Sequence, residues 1–161
     1  MNKIYLLLGS NIGNSYGQIE LAAREINKAT GKLVRRSSLY VTAAWGNRSQ
    51  PDFLNQVLVI ESDLSAGDTL ASILEIERKM GRVRTVKNAP RIIDIDILFF
   101  NKQIIVQDNL VIPHPEIQNR RFVLVPLNEL SPLYVHPVLG KTVHRLLKEC
   151  EDRLEVKKLY Q

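Results

Sequence analysis

In Ala89-Pro90-Arg91-Ile92-Ile93-Asp94-Ile95-Asp96-Ile97-Leu98-Phe99-Phe100, the residues after Arg91 form an isoleucine-rich apolar run broken only by two acids. Such residues favour a strand, predicted here over Ile92 to Phe100. Residues i and i+2 of a strand share a face, so Asp94 and Asp96 stand side by side. Apolar neighbours occupy both faces, and paired carboxylates are expensive to bury unless neutralised. A divalent cation resolves the conflict. Mg²⁺ favours oxygen ligands, keeps several waters and is often shared with substrate phosphates. The competing reading is an alternating strand with a wet face, on which the two acids have no function.

Upstream of this strand the chain supplies the partners it needs. Ile4 to Leu8 reads as a buried strand ended by Gly9-Ser10-Asn11. Ser15-x-x-Gln18 resembles a capping box, followed by Ile19, Ala22, Ala23 and Ile26 at helical spacing, with Gly31 as a stop. Leu33 to Val41 and Phe53 to Glu61 read as strands around a polar loop, 42–52. Leu70, Ile73, Leu74 and Met80 mark a second helix that opens near Ser65 and closes at Gly81, with Glu77 on its apolar side. The resulting βαββαβ order predicts a ferredoxin-like α+β sandwich. Its sheet is open and mainly antiparallel, with helices on one face. Downstream, Asn101-Lys102 reads as a hairpin turn into Gln103 to Val106. Prolines then break the chain into pieces, with additional short helices expected at Phe122 to Leu130 and Thr142 to Cys150. Residues 151–161 read as a charged, peripheral tail.

The 161 residues fit a single domain, 1–161, with a real core, since 45% of them are hydrophobic. A net charge of +5 suits a polyphosphate ligand as well as nucleic acid. One cysteine, Cys150, permits no intrachain disulfide and suits a reducing, cytoplasmic setting. The N-terminal apolar run is short for a secretory leader, and no run approaches a membrane span.

Arg82, Arg84, Lys87 and Arg91 lie within ten residues without an intervening acid. Phosphoryl transfer requires such charge, and arginine contacts phosphate in a bidentate fork. A solvated basic loop is the bland alternative. His114, between two prolines, and Arg120-Arg121 are further candidates for phosphate. Trp45, Phe53 and Asn55 suit a flat heterocycle, through stacking and an amide that reads its edge; Trp45 as a lid on the core is the other reading. Gly9 to Gly13 lacks the lysine of a phosphate-binding P-loop.

Taken together, these blocks resemble the 6-hydroxymethyl-7,8-dihydropterin pyrophosphokinase family. The resemblance rests on Pro90-Arg91-Ile-Ile-Asp94-Ile-Asp96 with its two following aliphatics, Leu8-Gly9-Ser10-Asn11 and Gln50-Pro-Asp-Phe-Leu-Asn55. It continues through Gly81-Arg82-Val83-Arg84, Ile112-Pro-His-Pro115 and Arg120-Arg121-Phe122, in the family's order and spacing. It implies transfer of the β,γ-diphosphate of ATP to the hydroxymethyl group of a reduced pterin. By the same resemblance, Asp94 and Asp96 bind two Mg²⁺ ions. The pterin pocket falls on Thr42, Ala43, Trp45, Phe53, Asn55, Asp94 and Phe122. ATP contacts fall on Glu77, Arg82, Arg84, Arg91, Ile97, His114 and Arg120, with Arg82, Arg91, Asp94 and Asp96 as the catalytic set. The implied partners are small molecules, without nucleic acid or membrane, for a monomer that works beside other folate-pathway enzymes.

This chain departs from the best-known members at several points. Asn88-Ala89 stands where they carry a tryptophan-glycine pair, in a loop one residue shorter. Ala43-Ala44 and Trp45 replace a proline-rich pair and a smaller aliphatic residue. Leu74 and Asn109 stand where others place polar or basic nucleotide contacts, so those two roles are not carried over. Two rival functions are weaker. An RNA-binding sheet would need an aromatic-rich strand that is missing here, and a two-metal nuclease would need more carboxylates.

Overall fold

Asn2–Ser10 forms β1, the strand around which the chain is arranged in this computed structural model, which describes residues 1–43, 51–81 and 92–160. Its even-numbered residues Ile4, Leu6 and Leu8 join one buried cluster, and Tyr5 and Leu7 join another. A strand buried on both faces reads as a continuous apolar run, because neither set of alternating side chains meets water. β1 pairs antiparallel with β4 (Phe53–Ser62) on one side and β5 (Asp94–Phe100) on the other. β2 (Lys32–Arg36) and β3 (Tyr40–Thr42) pair antiparallel with β4. This is the strand order of the expected ferredoxin-like sandwich, and that reading holds.

Two helices cover the first face. α1 (Ser15–Ala29) buries Ile19, Ala22, Ala23 and Ile26, and α2 (Ala66–Lys79) buries Ile73, Ile76 and Glu77. Ser65 caps α2 by accepting from Asp68 N–H at 3.1 Å. The capping box expected at Ser15 does not form. Asn14 is the cap of α1, accepting from Gly17 N–H at 3.0 Å. Gly31 stops the helix for a reason other than its backbone freedom. A Cβ there would lie 2.7 Å from the Glu61 carbonyl oxygen and 2.8 Å from Ser62 Cβ, so glycine lets the helix end close on β4. Gly31→Ala is therefore expected to destabilise the fold by about 1–3 kcal/mol. The expected sign is a lower urea midpoint at unchanged slope; an unmoved midpoint would refute it.

The sheet is clad on both faces rather than one. α3 (Arg121–Leu130) and α4 (Val143–Glu149) pack Val123, Leu124, Leu127, Val143 and Leu146 onto Tyr5, Leu7, Val57 and Val59. Four further expectations need correction. The strand predicted over 33–41 divides, because Ser37 and Ser38 turn to polar partners. Val57 N–H donates to Ser37 Oγ, and Glu129 of α3 accepts from Ser38 N–H, Ser38 Oγ and Tyr40 Oη. β5 begins at Asp94, two residues later than expected. β6 (Ile105–Gln107) does not return along β5 but pairs with β7 (Leu110–Ile112) in a separate two-stranded sheet. Finally, Val156–Lys158 of the tail is a strand, β8, paired with β3 at the sheet edge. Among the described residues no helix is long and apolar enough to cross a membrane.

Candidate active site

Directly opposed residues of neighbouring strands share a face. Asp94 pairs with Gly9, Gly9 with Asn55, and Asn55 with Tyr40, which forms one row across four strands. The adjacent rows add Asp96 opposite Leu7, and Thr42 opposite Phe53. Asp94, Asp96, Gly9, Asn55, Phe53 and Thr42 thus share the face that α3 covers. A β-bulge keeps the far half of β5 in step. Tyr5 pairs with Phe99 and Leu6 with Ile97, so Leu98 is an extra residue. Leu98 and Phe99 consequently point into the same cluster.

Gly9 is where the sheet leaves room. A Cβ would stand 3.0 Å from Asn55 Oδ1 and 3.6 Å from the Phe53 ring. Asn55 is 2% exposed and its Nδ2 donates to Thr42 Oγ1 at 3.1 Å, which fixes the direction of its amide. Phe122 lies in the first turn of α3, half-buried against the same cluster, with the Arg120 guanidinium 6.0 Å from its ring. Ala43 is exposed beside Thr42. Trp45 lies outside the described residues.

The other side of β5 is a free edge, along which runs a cleft of about 340 Å³. Leu70 and Leu74 of α2 form one wall, and Leu110, Val111 and His114 another, with Asp96 and Ile97 on the strand itself. Ile95 N–H faces this edge and would be left unpaired. Glu77, 2% exposed, accepts its proton at 2.8 Å. An unmet buried donor costs about 1–3 kcal/mol. By the two-residue alternation of an antiparallel ladder, Ile97 turns its N–H and C=O to the same edge. That donor–acceptor pair suits the edge of a heterocyclic base.

His114 closes the cleft. Its backbone N–H donates to Leu98 O at 3.0 Å, and its Nδ1 accepts from Glu116 N–H at 3.1 Å. Nδ1 is therefore unprotonated and Nε2 carries the hydrogen. Burial first, then the charge of Arg120, lower its pKa, while Asp94 and Glu116 pull the other way. The ring is a neutral donor near neutral pH, in the field of both Arg120 and Asp94.

Arg82, Arg84, Lys87 and Arg91 lie outside the described residues. The residues that bracket them do not. A Cβ on Gly81 would be 3.8 Å from Ile92 Cδ1, so the two bracketing residues lie together, and Ile92 is two residues before Asp94. Three residues near the site were given no site role from sequence: Gly9 and Asn11, read as a strand end and a block of the resemblance, and Gln18, read as part of a capping box. Asn11 is 2% exposed and its Nδ2 donates to Pro51 O at 3.2 Å. The polar cluster Ser10-Asn11 directly after a buried strand was the available signal.

Among the described residues no group of three or more His, Cys, Asp or Glu is placed to hold a metal. Two neighbouring carboxylates alone fit Mg²⁺, which takes one or two protein carboxylates and completes its shell with water and phosphate oxygens. They do not fit an all-protein calcium or zinc cage.

The sequence matches the family model for 7,8-dihydro-6-hydroxymethylpterin-pyrophosphokinase over residues 5–132. It is 39% identical over 145 residues to the 2-amino-4-hydroxy-6-hydroxymethyldihydropteridine pyrophosphokinase of Synechocystis sp., covering 89% of this chain and 74% of that protein. It is also 39% identical over 145 residues to Folic acid synthesis protein FOL1 of Dictyostelium discoideum, covering 90% of this chain. Only 22% of that longer protein is spanned. A crystal structure of Plasmodium falciparum HPPK-DHPS superposes with a TM-score of 0.79 at 20% identity, over 92% of this chain and 45% of that one. At that identity the likeness establishes the fold. With the family match spanning most of the chain and a relative at 39% identity covered over 74% of its length, this chain belongs to the 7,8-dihydro-6-hydroxymethylpterin pyrophosphokinase family.

Proposed function

We propose that the chain, acting as one pyrophosphokinase domain over 1–161, transfers the β,γ-diphosphate of ATP to the hydroxymethyl group of 6-hydroxymethyl-7,8-dihydropterin in folate synthesis. The observation that carries this reading is the single face shared by Asp94, Asp96, Gly9, Asn55, Phe53 and Thr42. The reduced pterin lies over Gly9, with Phe53 and Phe122 against its rings and the Asn55 amide reading its edge. Thr42, Ala43, Trp45 and Asp94 complete that pocket. ATP lies along the free edge of β5. Its base meets the Ile97 peptide, and its phosphates meet Arg82, Arg84, Arg91, Arg120 and the Nε2–H of His114. Glu77 acts on the nucleotide side through the strand edge it holds.

Asp94 and Asp96 would hold Mg²⁺, two ions in this reading, and the metal would supply positive charge to neutralise phosphate oxygens. The pterin hydroxyl oxygen attacks the β-phosphorus, and the bond from that phosphorus to the oxygen bridging the α-phosphate breaks. AMP leaves and the hydroxyl proton passes to water. No described side chain is placed as a general base, so rate comes from alignment and charge. In this reading the enzyme is a monomer and works in the cytoplasm, a reducing compartment that its lone buried cysteine suits. The fused architecture of its longer relatives suggests that it works near other folate-synthesis enzymes.

The test is AMP release from ATP and Mg²⁺ with and without the reduced pterin alcohol. AMP formation that requires the pterin is the expected result. ADP as product, or AMP release indifferent to the pterin, would overturn the assignment.

A further inference from the structure

Gln18 is spaced to serve a capping box, yet the helix does not use it. Asn14 caps α1, and Ser15 Oγ lies 3.2 Å from Ser10 Oγ instead. The Gln18 carboxamide folds back over the β1–α1 turn, 3.3 Å from where a Gly13 Cβ would stand. One atom of that carboxamide faces three oxygens, the carbonyls of Ile12 at 2.8 Å and Ile92 at 2.9 Å and the hydroxyl of Ser10 at 2.8 Å. Carbonyls offer no proton, so this atom is the nitrogen, and its two hydrogens serve the three oxygens around it. Cross-strand register begins only at Asp94, so Ile92 has no partner in β1 to hold its carbonyl.

We propose that Gln18 is a positioning residue for the start of β5. By holding Ile92 O it sets where Asp94 and Asp96 leave the sheet, and hence how tightly that pair grips a magnesium-bound nucleotide. It touches neither substrate. The inference rests on the pyrophosphokinase reading for its kinetic arm, but its structural arm does not.

Two substitutions test it. Gln18→Met keeps the length and removes both donors; Gln18→Glu keeps the shape but offers only acceptors to the two carbonyls. Both are expected to lower kcat/KM for ATP about 10- to 100-fold. Both should also raise, several-fold, the Mg²⁺ concentration needed for half-maximal rate. Amide hydrogen exchange in the peptide spanning 92–98 should quicken, a readout that needs no turnover. Asn14→Ala, which removes the cap of the same helix end, is the control: a lower Tm with wild-type kcat/KM. Wild-type kinetics, Mg²⁺ dependence and exchange in both Gln18 variants would overturn the proposal. So would an equal loss of kcat/KM in Asn14→Ala, which would trace the effect to lowered stability alone. If the wild-type chain released no AMP, the functional assignment would fall while the exchange measurement still decided the role of Gln18.

Discussion

Asp96→Asn is expected to lower kcat for AMP release by about 10³-fold or more while the fold persists. The change is nearly isosteric and removes only charge. Asp96 sits opposite Leu7 on an edge strand, half-buried at the mouth of the cleft, so no close packing is lost. What disappears is one of the two anions that fit Mg²⁺, together with the phosphate neutralisation that the ion would bring. Far-ultraviolet circular dichroism and Tm should match wild type. Raising Mg²⁺ should recover little of the rate, because an amide oxygen is a weak ligand for a hard cation. A variant that turns over within tenfold of wild type would remove the acidic pair from the mechanism.

Gly9→Val tests the opposite side of the same face. Its backbone lies in a regular strand, where valine is favoured. The obstacle is space: even a Cβ would stand 3.0 Å from Asn55 Oδ1 and 3.6 Å from the Phe53 ring, and valine adds two methyls beyond it. The Asn55 amide would have to give up its bond to Thr42, and the ring would tilt. A misplacement on the order of 1 Å can cost about 100-fold, so kcat/KM for the pterin should fall by that order. KM for ATP should stay close to wild type, since the cleft proposed for the nucleotide runs along the other edge of β5. Equal losses for both substrates would show that the pterin does not lie over Gly9.

The two central strands and the two long helices were legible because burial imposes a period. Ile4 to Leu8 is apolar throughout, and Ile19, Ala22, Ala23 and Ile26 repeat with the helix. The shared face of Asp94 and Asp96 followed from strand parity alone. The alignment of Asn55 and Thr42 with them did not, because it depends on cross-strand register, which no local pattern encodes. The break at Ser37-Ser38 was hidden for a similar reason: its partner, Glu129, is 91 residues away. β8 was missed because a three-residue, lysine-bearing edge strand carries almost no hydrophobic signal. Gln18 was misread because its spacing from Ser15 matches a cap, while its carboxamide reaches across the fold to the Ile92 carbonyl. Of the proposed catalytic set, Asp94 and Asp96 share one strand face, while Arg82 and Arg91 lie outside the described residues.

The spare residue at Leu98 limits how this chain can change length. Deleting it would restore an even ladder and still leave Phe99 facing Tyr5, but the carbonyl from which His114 hangs would be withdrawn. A one-residue insertion or deletion earlier in the strand would do worse, exchanging aspartates and isoleucines between wet and dry sides. Natural or engineered length variation is therefore tolerable in the loops and ruinous between Asp94 and Ile97.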